Sequence, residues 1–370
     1  MLFLTYWFVI FAVAFYVLYW SIPVARVRVG LLLVACVVFH THFAGPAGVV
    51  PVLLLGLITY LAARSQNKKA CLAAIAVCAF ALVFYKYSSF ILTSALSPIS
   101  PEMAKTVTEW VQEHLLPVAP PLAISFFVFE FVHYLYDVRK GTAPLKSPVE
   151  FGAFAVFWPS IVAGPIKRYE QFVPAMHEGA RSVSQHDVAI GLIRVTIGLV
   201  KKYVADNLTA YITYSVSLYD TLPLATRWWI FIALGLRILL DFSGYSDMAI
   251  GFARMMGIAL PENFRWPYLA ANINEFWRRW HISLSTWSVT TSTSPSVETG
   301  SESLAGSSMG WLPLPSAVSG MAPRGTSCCG ASTMGWDWPS AETTARCWGG
   351  RDACSPSGFH ETGFLPGSSP

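Results

Sequence analysis

Asn272–Trp287 reads NINEFWRRWHISLSTW and sets one histidine, His281, among two arginines and three tryptophans. An imidazole is the natural general base near neutral pH, because its unperturbed pKa is about 6.5. Arg278 and Arg279 suit an anionic donor such as a thioester carrier with phosphates, since a planar guanidinium binds phosphate through two parallel hydrogen bonds. Helical spacing puts Trp277 and His281 on one face, with Arg278 on a neighbouring face. The same residues also describe an interfacial anchor, with Trp and Arg at the lipid headgroups and His281 incidental. Residue chemistry alone leaves both readings open.

Asp241–Asp247, DFSGYSD, closes a strongly apolar helix. An ionisable side chain at membrane depth costs about 2.5–3.5 kcal/mol, so it persists where it pairs or lines a polar cavity. Asp241, Ser243, Tyr245 and Asp247 are therefore candidates for a substrate path. An interhelical hydrogen-bond cluster that fixes packing fits them equally, and both roles can coexist. Gly244 is expected to permit a local break in the helix.

The remaining histidines carry weaker signals. His133 lies beside Glu130 and one turn before Asp137, a spacing that predicts a structural pair. His40 and His42 fall at the end of an apolar run, as interfacial residues do, while His114, His177 and His186 sit in polar connections and His360 in the last part of the chain. No zincin motif, GxSxG elbow, P-loop or GxGxxG turn is present, so hydrolase, ATPase and Rossmann chemistry lack support. Cys36, Cys71 and Cys78 read as packing residues, and no cysteine spacing matches a zinc site, so no metal is expected.

Lipid has to hold the elements that position these residues. The chain is 54% hydrophobic and 12% charged, with a mean hydropathy of +0.49, against about 25% charged for an ordinary soluble domain. Apolar runs near Leu4–Trp20, Val27–Phe39, Val49–Ala63, Ala70–Tyr85, Leu122–Tyr136, Phe151–Ile166, Val188–Val204 and Trp228–Leu240 read as membrane spans. No small-residue cleavage site follows the first, which reads as an anchor. Arg26, Arg28, Arg64, Lys68, Lys69, Arg139, Lys140 and Lys146 cluster at span ends, as juxtamembrane positive charge does. That placement predicts contact with membrane lipid; no basic stripe with interleaved aromatics predicts nucleic acid. A short surface helix is expected around Met103–His114. From Pro261 the chain is amphipathic and Trp-rich, which suits a headgroup-level or re-entrant segment. The expected fold is all-α, a multi-pass integral membrane helical bundle.

Four stretches carry a family resemblance: PLAISFFVFEFVHYLYDVRKG (Pro121–Gly141), FWPSIVAGPIKRYEQFVP (Phe157–Pro174), DFSGYSDMAIGFARMMGIALPENFRWPYLA (Asp241–Ala270) and NINEFWRRWHISLSTW. With them the chain resembles the membrane-bound O-acyltransferases, most closely the bacterial alginate O-acetyltransferase branch. The resemblance spans nearly all of 1–287 and none of 288–370. It implies a ring of tilted helices around a thinned centre in the bacterial inner membrane. It also implies acyl transfer, often of acetyl, from a cytoplasmic donor such as acetyl-CoA or another acyl thioester. The acceptor would be a hydroxyl of an exported polysaccharide or an exported acyl-relay protein, and no bound cofactor is implied. On this reading His281 is the catalytic-site histidine, and Asp241, Ser243, Tyr245, Asp247, Asn274, Trp277, Arg278, Arg279 and Trp280 contact substrate. D-alanyl transfer to a cell-wall polymer belongs to the same family. A transport or structural membrane protein is the other class; it fits Asp241 and Asp247, but the repeated halves common in transporters are missing.

At Ser288 the composition changes. Ser288–Pro370 contains no Ile, Tyr, Lys, Asn or Gln. The family usually continues with something like RDYLYIPLGGNR and, some tens of residues further on, holds another histidine in a Trp-His-Gly stretch, the one usually held to be the main catalytic residue; neither is present here. Read one base earlier, the codons of Val289–Gly300 permit R-D-Y-L-Y-I-P-L-G-G-N-R, and those of Ser319–Ala322 permit W-H-G. All five missing residue types need A or T at the second codon base. In the shifted reading that base is the true frame's wobble position, which a GC-rich gene fills with G or C. A frameshift near the codon of Trp287 is therefore expected, dividing the chain into a membrane part, 1–287, and an aberrant tail, 288–370. The Ser/Gly/Pro-rich tail has few branched apolar residues to offset its ordering entropy and is expected to be disordered, leaving the bundle incomplete.

Overall fold

The computed structural model describes residues 2–114 and 121–286. The expected disorder of Ser288–Pro370 lies outside these residues. Among the described residues the fold is all-α, with one isolated antiparallel bridge, Phe264–Trp280.

Helix α1 (Tyr6–Ser21) is capped by Thr5, whose hydroxyl accepts from the Phe8 amide at 3.2 Å. Helix α2 (Ala25–Arg64) holds two of the expected spans as halves of one broken rod. The break is at Gly45, with φ 66° and ψ 169°, just before Pro46. A residue preceding proline is pushed out of the α region, and glycine has no Cβ to oppose a positive φ. Because the break falls at Gly45, His40 stays within the helix. It is buried against Phe127, ring centroids 5.2 Å apart, and is not interfacial. His42 stacks on Trp7 at 3.7 Å.

Helix α3 (Lys68–Leu82) passes through a wide turn, Val83–Tyr87, into α4 (Ser88–Leu96). Ala25–Arg64 and Lys68–Leu96 are long and apolar enough to cross a membrane. Helix α5 (Pro101–His114) coincides with the expected surface helix. Helix α6 (Ile124–Lys140) packs on α2 and α3 and carries the expected His133–Asp137 pair at 3.3 Å.

The apolar run Phe151–Ile166 is not a span. Helix α7 (Pro148–Ala155) ends early, Trp158–Ser160 is a single 3₁₀ turn, and irregular turns lead on through Gly164-Pro165. Pro159 and Pro165 each disfavour helix at the preceding residue, and a Cβ on Gly164 would come within 2.4 Å of Ser160 Cα. Trp158 fills the core at this point, ringed by Phe3, Phe8, Phe15, Phe39 and Phe252. Its amide donates to Cys36 Sγ at 3.3 Å.

Past this loop Lys167 is buried. Its Nζ donates to Glu130 Oε1 at 2.6 Å and sits 5.0 Å from the Phe154 ring centre. Removing one member of a buried pair leaves an uncompensated charge, which costs about 3–5 kcal/mol, whereas replacing both is often close to neutral. Lys167→Met should therefore destabilise the protein by that order in detergent unfolding, and a Glu130→Gln/Lys167→Met double variant should recover most of it. Equal loss in both would contradict the pairing argument.

Helix α8 (Tyr169–Gly179) leads to the two long helices α9 (Gln185–Ser217) and α10 (Leu224–Met255). At 33 residues α9 is about 50 Å long, well beyond the expected Val188–Val204 span. Glycines let the two rods touch: a Cβ on Gly198 would lie 2.6 Å from the Gly244 carbonyl oxygen, and one on Gly251 2.6 Å from that of Gly191. Gly244 therefore does not break α10, which runs through it unbroken; its missing side chain admits α9 instead.

Candidate active site

Three ion pairs lock α10 onto α9 at the height of the Asp241–Asp247 stretch. Lys202 Nζ donates to Asp241 Oδ1 at 2.8 Å and also pairs with Asp206. Asp247 receives Arg194 Nε at 2.8 Å and Lys201 Nζ at 2.6 Å. The guanidinium of Arg194 reaches on to Glu262, at 2.7 Å through Nη1. The clasp thus extends from the two helices to the loop that follows α10. Ser243 and Tyr245 are buried on the same helix, and the Tyr245 hydroxyl abuts the backbone of Val162 and Ala163 without a well-formed hydrogen bond.

After α10, Gly257 turns the chain with φ 74°. The loop carries Asn263, then a 3₁₀ turn at Pro267–Leu269, and enters α11 (Ile273–Arg279). Asn272 caps α11 by accepting from the Glu275 amide at 2.9 Å, and the Glu275 carboxylate reaches back to the Ala271 amide at 2.8 Å. Glu275 also pairs with Arg279. Because α11 ends at Arg279, Trp277 and His281 do not share a helical face, contrary to the expected spacing. Trp280 instead bridges to Phe264 in extended conformation, stacked near Tyr268 and Phe276.

His281 follows with φ 44°, a left-handed conformation that a residue with a Cβ rarely adopts. This turn swings the imidazole inward. Its Nδ1 lies 3.0 Å from Asn263 Oδ1, and Phe242 of α10 meets the ring edge-on at 4.8 Å. Ser283 Oγ donates to the same Asn263 Oδ1 at 2.9 Å and accepts from the Ile166 amide at 3.0 Å. Asn263 Nδ2 donates to Ser246 Oγ of α10 at 3.1 Å. Burial lowers the imidazole's pKa to about 4, so His281 is neutral near pH 7 and holds one nitrogen lone pair.

Of the residues expected to contact substrate, the structure brings Trp280 next to His281 and commits Asp241, Asp247 and Arg279 to ion pairs. Asn274 and Arg278 are exposed on α11, and Trp277 is half-buried. Sequence reasoning missed Asn263, Ser246 and Ser283. A usable signal was available: they are polar residues inside two of the four stretches that carry the resemblance.

Residues 81–290 match the profile of MBOAT, the membrane-bound O-acyltransferase family. The chain belongs to this family. It is 36% identical over 280 residues to the "Probable alginate O-acetylase AlgI" of Azotobacter vinelandii, covering 73% of this chain and 54% of that protein. It is 34% identical over 231 residues to the peptidoglycan O-acetyltransferase of Helicobacter pylori, covering 55% of this chain and 42% of the relative. With the teichoic acid D-alanyltransferase of Bacillus subtilis it shares 32% identity over 190 residues, covering 47% and 46%. The chain spans about half the length of these relatives. The matched region includes His281, Asn263 and the α9–α10 clasp.

Proposed function

We propose that this chain belongs to a multi-pass inner-membrane O-acyltransferase that moves an acetyl group from a cytoplasmic thioester, such as acetyl-CoA, to a hydroxyl of an exported polysaccharide such as alginate. The observation that supports it most is a buried, neutral histidine held by Asn263 inside the stretch that matches the acyltransferase family. His281 takes the proton of the acceptor hydroxyl, or of a relay group, as that oxygen attacks the thioester carbonyl. The new C–O bond forms, the C–S bond breaks, and the thiolate leaves to be protonated as the free thiol. A dry tunnel would strengthen these electrostatics and keep water from taking the acyl group.

The chain as written lacks a Trp-His-Gly stretch, and with it the second histidine that the resemblance implies. We attribute this to a frameshift near the codon of Trp287 and propose that the polypeptide is inactive in this form. D-alanyl transfer to a cell-wall polymer is the second reading, favoured by the similarity to the Bacillus subtilis protein. The two separate in a donor experiment on a frame-repaired chain in membrane vesicles. Label reaching polymer from acetyl-CoA, and none from a D-alanyl carrier, supports the first; the reverse pattern replaces it with the second.

A further inference from the structure

We infer that Asn263 is the positioning residue that fixes which nitrogen of His281 carries the proton, leaving Nε2 as the bare base. The inference rests on the proposed role of His281, but its geometry stands alone. The Asn263 carboxamide could in principle face either way, and donors settle the matter. The Ser283 backbone amide, which can only donate, points at Asn263 Oδ1 at 3.4 Å. The Ser283 hydroxyl already accepts from the Ile166 amide, so its proton is free to go to the same oxygen at 2.9 Å. Oδ1 is therefore the atom facing His281, and Nδ1, 3.0 Å away, must be the donor. The other end of the carboxamide, Nδ2, is tied to Ser246 on α10.

Asn263 thus joins three parts of the chain: α10 through Ser246, the loop after α7 through Ser283 and Ile166, and the histidine turn. A further backbone bond, Ile282 amide to Asn263 carbonyl at 2.9 Å, keeps the two strands of the turn in register. The contacts on the imidazole come from Asn263, Ser283 and Phe242, none of which titrates near neutral pH. The nearest carboxylates in sequence to Asn263 and Ser246 are Glu262 and Asp247, and both are held by Arg194, Asp247 also by Lys201. A neutral amide in this position orients the ring without adding charge to it.

The test uses the full chain in detergent micelles with ¹⁵N-labelled histidine, and His281→Asn identifies the His281 signals. At pH 7 the expected pattern is a protonated Nδ1 and an unprotonated Nε2. In Asn263→Leu that pattern should collapse toward the Nε2–H form that a free imidazole favours. In Asn263→Asp, nearly the same shape, the Nδ1–H form should persist and the His281 titration should move up by more than one pH unit, because a carboxylate stabilises the imidazolium. An unchanged tautomer in folded Asn263→Leu, or an unmoved titration in Asn263→Asp, would overturn the inference. Asn263→Asp keeps the test open if Asn263→Leu does not fold. If the tautomer behaves as expected but a frame-repaired chain transfers no acyl group, the positioning stands and the proposed function falls.

Discussion

Replacing His281 by Asn in a frame-repaired chain is expected to lower acyl transfer about a hundredfold or more, the usual loss when a general base is removed. Asparagine is the informative choice because His281 sits at φ 44°. Asn visits this left-handed region more readily than most residues with a side chain, so the turn can survive the change. The effect should appear in kcat rather than KM, since a proton acceptor acts in the transition state and not in ground-state binding. Retained elution volume and helix content, with transfer lost, would support catalysis. Transfer within twofold of the parent in a folded variant would assign His281 to packing.

A second large effect is expected from the reading frame. The polypeptide as written should give no transfer above background, and restoring the frame at Trp287 should bring transfer back. Resequencing the source DNA from the codon of Arg279 past that of Met321 decides what the break is. A corrected reading that restores R-D-Y-L-Y-I and W-H-G makes the tail an error. A confirmed shift makes it a lineage that keeps His281 without its partner histidine. Transfer by the unrepaired chain at the repaired chain's rate would remove the frameshift from the account.

His281 was legible because aromatic and basic residues crowd around it in one continuous stretch, and its local chemistry needs no distant partner to be noticed. Asp241 and Asp247 were legible as costly charges in an apolar helix, but their partners Arg194, Lys201 and Lys202 were not. Which face of α9 meets α10 is decided by glycines on both rods, and a hydropathy window does not see a close approach. Asp241 also cut the expected Trp228–Leu240 span short, although α10 runs through it to Met255. Phe151–Ile166 failed for the opposite reason. Its composition is apolar because it is itself buried in the core, with Trp158 at its centre, while Pro159 and Gly164-Pro165 disfavour the helix that apolar length suggests. Asn263 was missed because its partners lie across an irregular loop with no period, where a single amide joins residues that are distant in sequence.

A frame-repaired chain is expected to esterify hydroxyls. The most direct measurement supplies ¹⁴C-acetyl-CoA to the outer, cytoplasmic face of inverted membrane vesicles holding the repaired chain and an alginate acceptor, together with any exported relay the gene neighbourhood supplies. The polymer is then treated with mild alkali. Polymer-bound label released as acetate, and absent with the His281→Asn variant, is the predicted result. No alkali-labile label from either acetyl or D-alanyl thioesters, in vesicles where the repaired chain is folded and inserted, would contradict it.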